Sequence, residues 1–263
     1  MNIKTNLSYL STTERSVLIG SLLGDGCLQK RGLNSYRYRV SQSLEQKSYV
    51  EWKYAKLKRL CPTTQPPKQV TDKKGFVTVE FYTSSGEYLK DSFELFYKQS
   101  PTGKFVKTIT PELIEKMPMD PLLLSVWYMD DGSARNDCYA GNLATHSFSL
   151  QENHLLQDYL KKWGIDSNIS KHSKRSGQYY LYIPSRCFPR FVEIIEPTVR
   201  EIPSMVYKLN EVRKPFSSGI AKESKRSYVC FEAIKPFDAL MINERMINER
   251  KQGFIPPENS IMN

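Results

Sequence analysis

The chain has 263 residues, 40% of them hydrophobic and 12% aromatic, which is enough apolar material for a core and too much for global disorder. Thirty-eight Lys and Arg against 28 Asp and Glu leave a net charge of +10, favouring a polyanionic partner, and no apolar run reaches the ~20 residues of a membrane span. Five scattered cysteines without a CxxC pair and three isolated histidines read as reduced thiols of an intracellular protein and argue against a zinc site.

In chain order, the N-terminal residues lack the long apolar stretch of a secretory signal. Ser11-Thr-Thr-Glu14 has the form of a capping box and opens an apolar helix, 17–23, that stops at Gly24-Asp25-Gly26. A strand is expected at 36–43, a helix at 48–60, a strand at 76–83 and a helix around 88–97. Asp120-Pro121 then sets an N-cap with Pro at the first helical position. It opens a second apolar helix, 122–129, that stops at Asp130-Asp131-Gly132. Strand-like 143–149, a helix at 151–163, a strand at 179–183 and a helix at 188–195 follow. Each half then reaches an isolated lysine, Lys107 lying 82 residues after Asp25 and Lys208 lying 77 after Asp131. This recurrence predicts a duplicated unit packed as an internal pseudo-dimer, with repeats at 1–110 and 111–213. From 214 to 263 the pattern stops, and the tail reads as an appendage.

The helix ends break a local rule. A carboxylate at a helix C-terminus faces the negative end of the macrodipole and costs a few tenths of a kcal/mol. A bound divalent cation removes that cost, and Mg²⁺ prefers carboxylate and carbonyl oxygens. An Asp-Gly pair also makes an ordinary turn, but its recurrence at matching positions favours the ion. Gly20 and Gly24, spaced i, i+4 with Ser21 between them, would let a second helix approach closely. Side-by-side packing of the two helices would bring Asp25 and Asp131 together, an arrangement suited to phosphodiester hydrolysis.

The segments LIGSLLGDG (18–26) and LSVWYMDDG (124–132) resemble the two copies of the motif that names the LAGLIDADG homing endonucleases, in particular the single-chain members of the omega-intron type. Further likeness lies in Trp127–Gly132, Thr145–Ser149, Lys107-Thr-Ile and Ile202–Leu209, so the resemblance spans roughly 15–212. It implies an α+β fold of two pseudo-symmetric αββαββα repeats forming a saddle-shaped, DNA-binding sheet surface, followed by a C-terminal extension. It also implies metal binding at Asp25 and Asp131, assisted by Gly24 and Asp130, with Lys107 and Lys208 near the attacking water. Mg²⁺ is the expected cofactor, with Mn²⁺ as a substitute. The motif's sixth position is Leu23 and Met129 rather than Asp, and Val126 stands where the first copy has Gly20. The polar residue expected near the end of the first strand is either Gln42 or Ser43. Strand alternation places Ser43 with Arg37 and Arg39 and favours it.

The residues between Lys30 and Arg59 include nine basic side chains and only two acids. Tyr36-Arg-Tyr-Arg-Val40 alternates as a strand with one face on the core and one on nucleic acid. Single basic residues also serve as solvated surface charges. As a set, Lys30, Arg31, Arg37, Arg39, Ser43, Lys73 and Lys74 in the first half, and Arg135, His146, Lys171, Lys174 and Arg175 in the second, are the expected DNA contacts. Their difference predicts an asymmetric target. The expectation is therefore a monomeric, organelle-encoded intron-homing endonuclease acting on double-stranded DNA. The alternative is an RNA maturase that binds its host intron RNA and no longer cuts DNA.

Overall fold

The structure, a computed structural model, describes residues 9–63, 65–171 and 177–211. Lys174, Arg175 and the tail from 214 onward lie outside the described residues. Helix α1 (Thr12–Leu23) starts as expected, with the Ser11 hydroxyl accepting from the Glu14 amide and the Glu14 carboxylate accepting from the Ser11 amide. It leads into β1 (Cys27–Gly32), β2 (Ser35–Ser43), α2 (Lys47–Leu57), β3 (Lys68–Thr71), β4 (Val77–Tyr82) and α3 (Lys90–Phe96). A small hairpin, β5 (Tyr97–Gln99) and β6 (Phe105–Lys107), and α4 (Pro111–Lys116) lead to the second half.

That half consists of α5 (Pro121–Asp131), β7 (Gly132–Ala134), β8 (Gly141–Leu143), α6 (Leu150–Lys162), β9 (Asn168–Lys171), β10 (Tyr179–Ile183), α7 (Phe188–Val199) and a 3-10 stretch at Pro203–Leu209. The two four-stranded sheets share one antiparallel order, β1-β2-β4-β3 and β7-β8-β10-β9. The fold is thus the α+β architecture of two repeats that the resemblance implies.

One expected strand is mostly absent. Residues 144–149 form turns after β8, because the Thr145 hydroxyl is bonded to the buried Asn153 side chain and Ser149 caps α6. Four of the eight sheet strands, β1, β3, β7 and β9, escaped the sequence reading, since they are short or polar edge segments without a clear alternation.

Period-two alternation sets the faces of the sheets. In β2, Tyr36, Tyr38, Val40 and Gln42 are buried while Arg37, Arg39, Ser41 and Ser43 point outward. In the second sheet Leu143, Leu181 and Ile183 are buried. The inner faces and the helices enclose one continuous core.

Helices α1 and α5 form its centre, and they run in the same direction. Near their starts, Ser16 donates to Asp120 Oδ2 at 2.5 Å and Arg15 donates to the Lys116 carbonyl at 2.8 Å. Near their ends, Ser21 donates to Asp130 Oδ2 at 2.8 Å. Both C-termini therefore emerge at one place. Among the described residues no helix is long and apolar enough to cross a membrane.

Candidate active site and nucleic-acid interface

Parallel packing of α1 and α5 stacks two negative helix ends side by side, and neither helix has a basic residue in its last turn. Lysines from elsewhere supply the positive charge. The β5–β6 hairpin delivers Lys107, whose Nζ donates to the Gly24 carbonyl at 2.7 Å. The 3-10 stretch delivers Lys208, which is buried and donates to the Met129 carbonyl at 2.5 Å and the Gly132 carbonyl at 2.9 Å. The two lysines occupy matching places but different supports, and Lys208 is committed to backbone carbonyls while Lys107 holds one.

Asp25 follows α1 with its residue exposed, and Asp131 ends α5 half-buried. Withdrawal from water, then the neighbouring Asp25 and Asp130, push the Asp131 carboxyl up to about 7. The same causes, withdrawal from water and then Asp130, raise Asp25, opposed by a hydrogen bond from Gln42 and by the charges of Lys53 and Lys208. Burial lowers both Lys107 and Lys208, against the pull of the three aspartates.

Gln42 settles the ambiguity of the sequence. Its Nε2 donates to Asp25 Oδ2 at 2.9 Å and to Asp130 Oδ1 at 3.2 Å. Ser43, favoured from alternation, lies at the exposed end of β2 opposite Thr78. Alternation does put Ser43 on the outer face with Arg37 and Arg39, but the inner face of β2 ends over the α1 terminus, so Gln42 on the core side reaches the aspartates. A polar residue in line with Tyr36, Tyr38 and Val40 was the available signal.

Asp130, expected beside the metal, is surrounded by the protein's own donors. Its side chain is fully buried, and it accepts from Lys53 Nζ at 2.5 Å, from Gln42 and from Ser21. Those three donors occupy it from inside the protein. A Cβ on Gly24 would lie 2.5 Å from the Asp130 Cβ, so the glycine makes room for this side chain and leaves its carbonyl to Lys107.

The carboxylates that remain at the helix ends are Asp25, exposed, and Asp131, half-buried. Among the described residues no three His, Cys, Asp or Glu side chains gather as a complete metal cage. That suits Mg²⁺, which is typically held by one or two carboxylates and completes its shell with waters and substrate phosphates. Gln42 Oε1, buried without a hydrogen-bond partner, adds an unused acceptor beside them.

The basic run divides between two surfaces. Arg37 and Arg39 lie on the outer sheet face, with Lys30 and Arg31 at the β1 end. Arg37 Nε donates to Gln29 at 2.8 Å and its guanidinium stacks 4.5 Å over Tyr82. Arg39 is held by Glu80 at 2.5 Å, with Lys68 3.8 Å from the same carboxylate. Lys73 and Lys74 sit on a turn organised by Asp72, which accepts from the Lys74 and Phe76 amides. On the helical side, Lys56 pairs with Glu201, Arg59 with Glu14, and Lys53 is buried.

The second sheet presents Ser133, Asn142, Asn168, Ser170, Tyr180 and Tyr182 outward, which the reading for basic residues missed. Arg135 forks onto Asp137 beside the Tyr182 ring, and the His146 ring packs edge-on to Tyr180. Lys171 lies at the end of β9, opposite Tyr179. Among the described residues, the strands of the first sheet carry more outward charge, and those of the second present mainly neutral and aromatic side chains flanked by Arg135 and Lys171.

Comparison with known proteins shows the family and the fold. The profile of the LAGLIDADG DNA endonuclease family matches residues 15–191. DNA endonuclease I-ChuI of Chlamydomonas applanata is 30% identical over 217 residues, 78% of this chain and 98% of that protein. Cytochrome b mRNA maturase bI2 of Saccharomyces cerevisiae is 30% identical over 220 residues, 79% of this chain. The chain spans only half of that longer maturase. The homing endonuclease I-WcaI, solved bound to its DNA recognition sequence, superposes with a TM-score of 0.64 at 21% identity, covering 80% of this chain and 94% of its own.

Proposed function

The chain belongs to the LAGLIDADG DNA endonuclease family, and from that membership we propose that it is a site-specific homing endonuclease making a Mg²⁺-dependent double-strand break in a long, asymmetric DNA target. The observation that supports the reading is the parallel α1–α5 pair, at one end of which Asp25 and Asp131 follow the two helices, with Gln42 of β2 against Asp25. A divalent ion held there by the two carboxylates would supply Lewis-acid polarisation of a scissile phosphate and a water of lowered pKa.

The chain's own residues divide the remaining work. Asp25 and Asp131 would hold the ion, each at the end of its repeat's motif helix, so that each repeat serves one strand. Gln42 holds Asp25 in place and keeps Oε1 available to orient a water. Lys107 and Lys208 balance the stacked helix termini and the aspartates, which lets two carboxylates stay close without repelling each other out of position. Arg37, Lys30, Arg31 and the Lys73–Lys74 turn engage the backbone and base edges of one half-site. The neutral side chains of the second sheet, with Arg135, His146 and Lys171, engage the other, so the target has no palindrome. The two repeats act as a monomer, encoded in an organelle intron.

A second reading has one specific observation behind it, the 30% identity to an mRNA maturase over most of this chain. A basic sheet face would also suit RNA. The nuclease is preferred because a pure binder has no need for two aspartates at the helix ends with a lysine beside each. Incubation of the purified protein with a plasmid carrying the uninterrupted host-gene junction separates the two. Linear product with Mg²⁺ and none with EDTA supports the endonuclease. Binding without cutting supports the maturase.

A further inference from the structure

Lys53 is fully buried, on a helix where the spacing calls for an apolar side chain. Helix α2 buries Tyr49, Val50, Lys53 and Leu57. The ammonium donates to Asp130 Oδ1 at 2.5 Å and Ser21 Oγ at 3.0 Å, and lies 4.4 Å from the Tyr49 ring centre. Ser21 in turn accepts from the Tyr38 hydroxyl at 2.7 Å and donates to Asp130 Oδ2. A buried charge pair is retained only where its hydrogen bonds are satisfied, and a well-packed apolar pair is often as stable. Its retention here therefore points to something other than stability.

The pair joins the two repeats and has no counterpart at the matching positions. Helix α6 buries Asn153, Leu156 and Leu160 with the spacing of Val50, Lys53 and Leu57, so Leu156 stands where Lys53 does. The first motif has Gly24 at the position of Asp130. Lys53 of the first repeat meets Asp130 of the second, and the matching positions carry Leu156 and Gly24. The consequence is equally one-sided: Asp130 anchors the Gln42 amide that holds Asp25, whereas among the described residues no side-chain donor reaches the Asp131 carboxylate.

We propose that Lys53 and Asp130 are positioning residues that act through Gln42 on Asp25 alone, so that the two strands of the target are cut by unequally supported centres. Lys53 holds Asp130 in place beside the site, Asp130 fixes Gln42, and Gln42 fixes Asp25. This rests on the endonuclease reading above.

Two charge-free double variants test it. Both Lys53→Met/Asp130→Leu and Lys53→Met/Asp130→Asn remove the buried charges, and only the second keeps an acceptor for Gln42. Cleavage of a duplex selected by binding from a randomised pool is followed with each strand end-labelled separately. In the Leu variant one strand is expected to be cut about 10-fold more slowly than the other, giving nicked product, with DNA affinity unchanged because the pair lies away from the sheet faces. The Asn variant is expected to cut both strands at the wild-type ratio. Equal slowing of both strands in the Leu variant, or the same strand bias in both variants, overturns the proposal.

Solvent exchange of the Gln42 side-chain amide protons, measured by NMR without DNA, gives a second readout. It should quicken in the Leu variant and stay slow in the Asn variant, and no difference between them overturns the proposal. A wild-type protein that cuts no DNA would overturn the endonuclease reading, while this measurement still decides the positioning.

Discussion

Gly20 and Val126 occupy the third position of their respective motifs and meet each other across the α1–α5 interface. A Cβ on Gly20 would sit 3.0 Å from the Val126 Cβ and 2.5 Å from the Leu123 carbonyl oxygen. Small against large replaces the small-against-small contact of a symmetric pair. Gly20→Ala is expected to destabilise the protein by about 1–3 kcal/mol, since the helix backbones must separate. Adding Val126→Ala should recover only part, because the tighter contact is to backbone. Urea unfolding of the two variants checks both statements, and full recovery would refute the close-approach account.

Asp25 and Asp131 are expected to be separately indispensable. Asp25→Asn and Asp131→Asn should each reduce double-strand cleavage by at least about 10²-fold while leaving DNA affinity near wild type. Timed plasmid digests with Mg²⁺ measure this. An Asp131→Asn protein that linearises plasmid as fast as wild type would remove Asp131 from the catalytic assignment.

The raised carboxyl of Asp131 gives a pH dependence with a definite sign. Its folded value of about 7 lies above that of an unfolded chain, near 4. Between those values the native state keeps a proton that the unfolded state has lost. Stability without metal should therefore fall as pH rises from about 4 to 7, by at most ~1.4 kcal/mol per pH unit from this group. The fall should be smaller in Asp131→Asn. A divalent ion competes with the proton, so adding Ca²⁺ should raise Tm more at pH 8 than at pH 5.5. Thermal scans at both pH values decide it, and a larger rise at the lower pH would contradict the assignment.

Lys107 and Lys208 are expected to differ in what they hold. Lys208 is buried against the end of α5 and satisfies its carbonyls, so Lys208→Met should cost about 1–3 kcal/mol of stability as well as cleavage. Lys107 is half-buried on a hairpin, and Lys107→Met should lose cleavage with a much smaller change in Tm. Parallel thermal and digestion measurements distinguish them, equal losses of Tm being the outcome that contradicts the structure.

On the sheet face, Glu80 restrains Arg39 and Lys68. Glu80→Gln should free both for phosphate, tightening non-specific DNA binding and steepening the dependence of log K on log salt by about 1–2. Arg37→Ala should act in the opposite direction, with a slope shallower by about 1. Fluorescence anisotropy across a salt series reads both, and an unchanged slope in Glu80→Gln would mean that the pairs play no part in binding.

Local chemistry was written in the sequence. The Ser11 capping box and the Asp120-Pro121 start are settled by neighbours three or four residues away, so both helices began where they were expected. The glycines and the paired Asp-Gly ends likewise marked where two helices would meet and which carboxylates would emerge. Arg37 and Arg39 on one face of β2 followed from the pleat alone.

What only the tertiary structure decided was the fate of polar residues on inward faces. Period-two alternation put Gln42 on the core side of β2, but it could not say that this side ends above the α1 terminus. Helical spacing put Lys53 on the buried face of α2, yet a lysine there is reasonable only once Asp130, 77 residues away, is known to meet it. The resemblance implies Asp130 beside the metal, next to Asp131 in the chain. A helix turns about 100° per residue, so two adjacent carboxylates cannot share a direction, and the fold leaves one half-buried and sends the other into a fully buried pair.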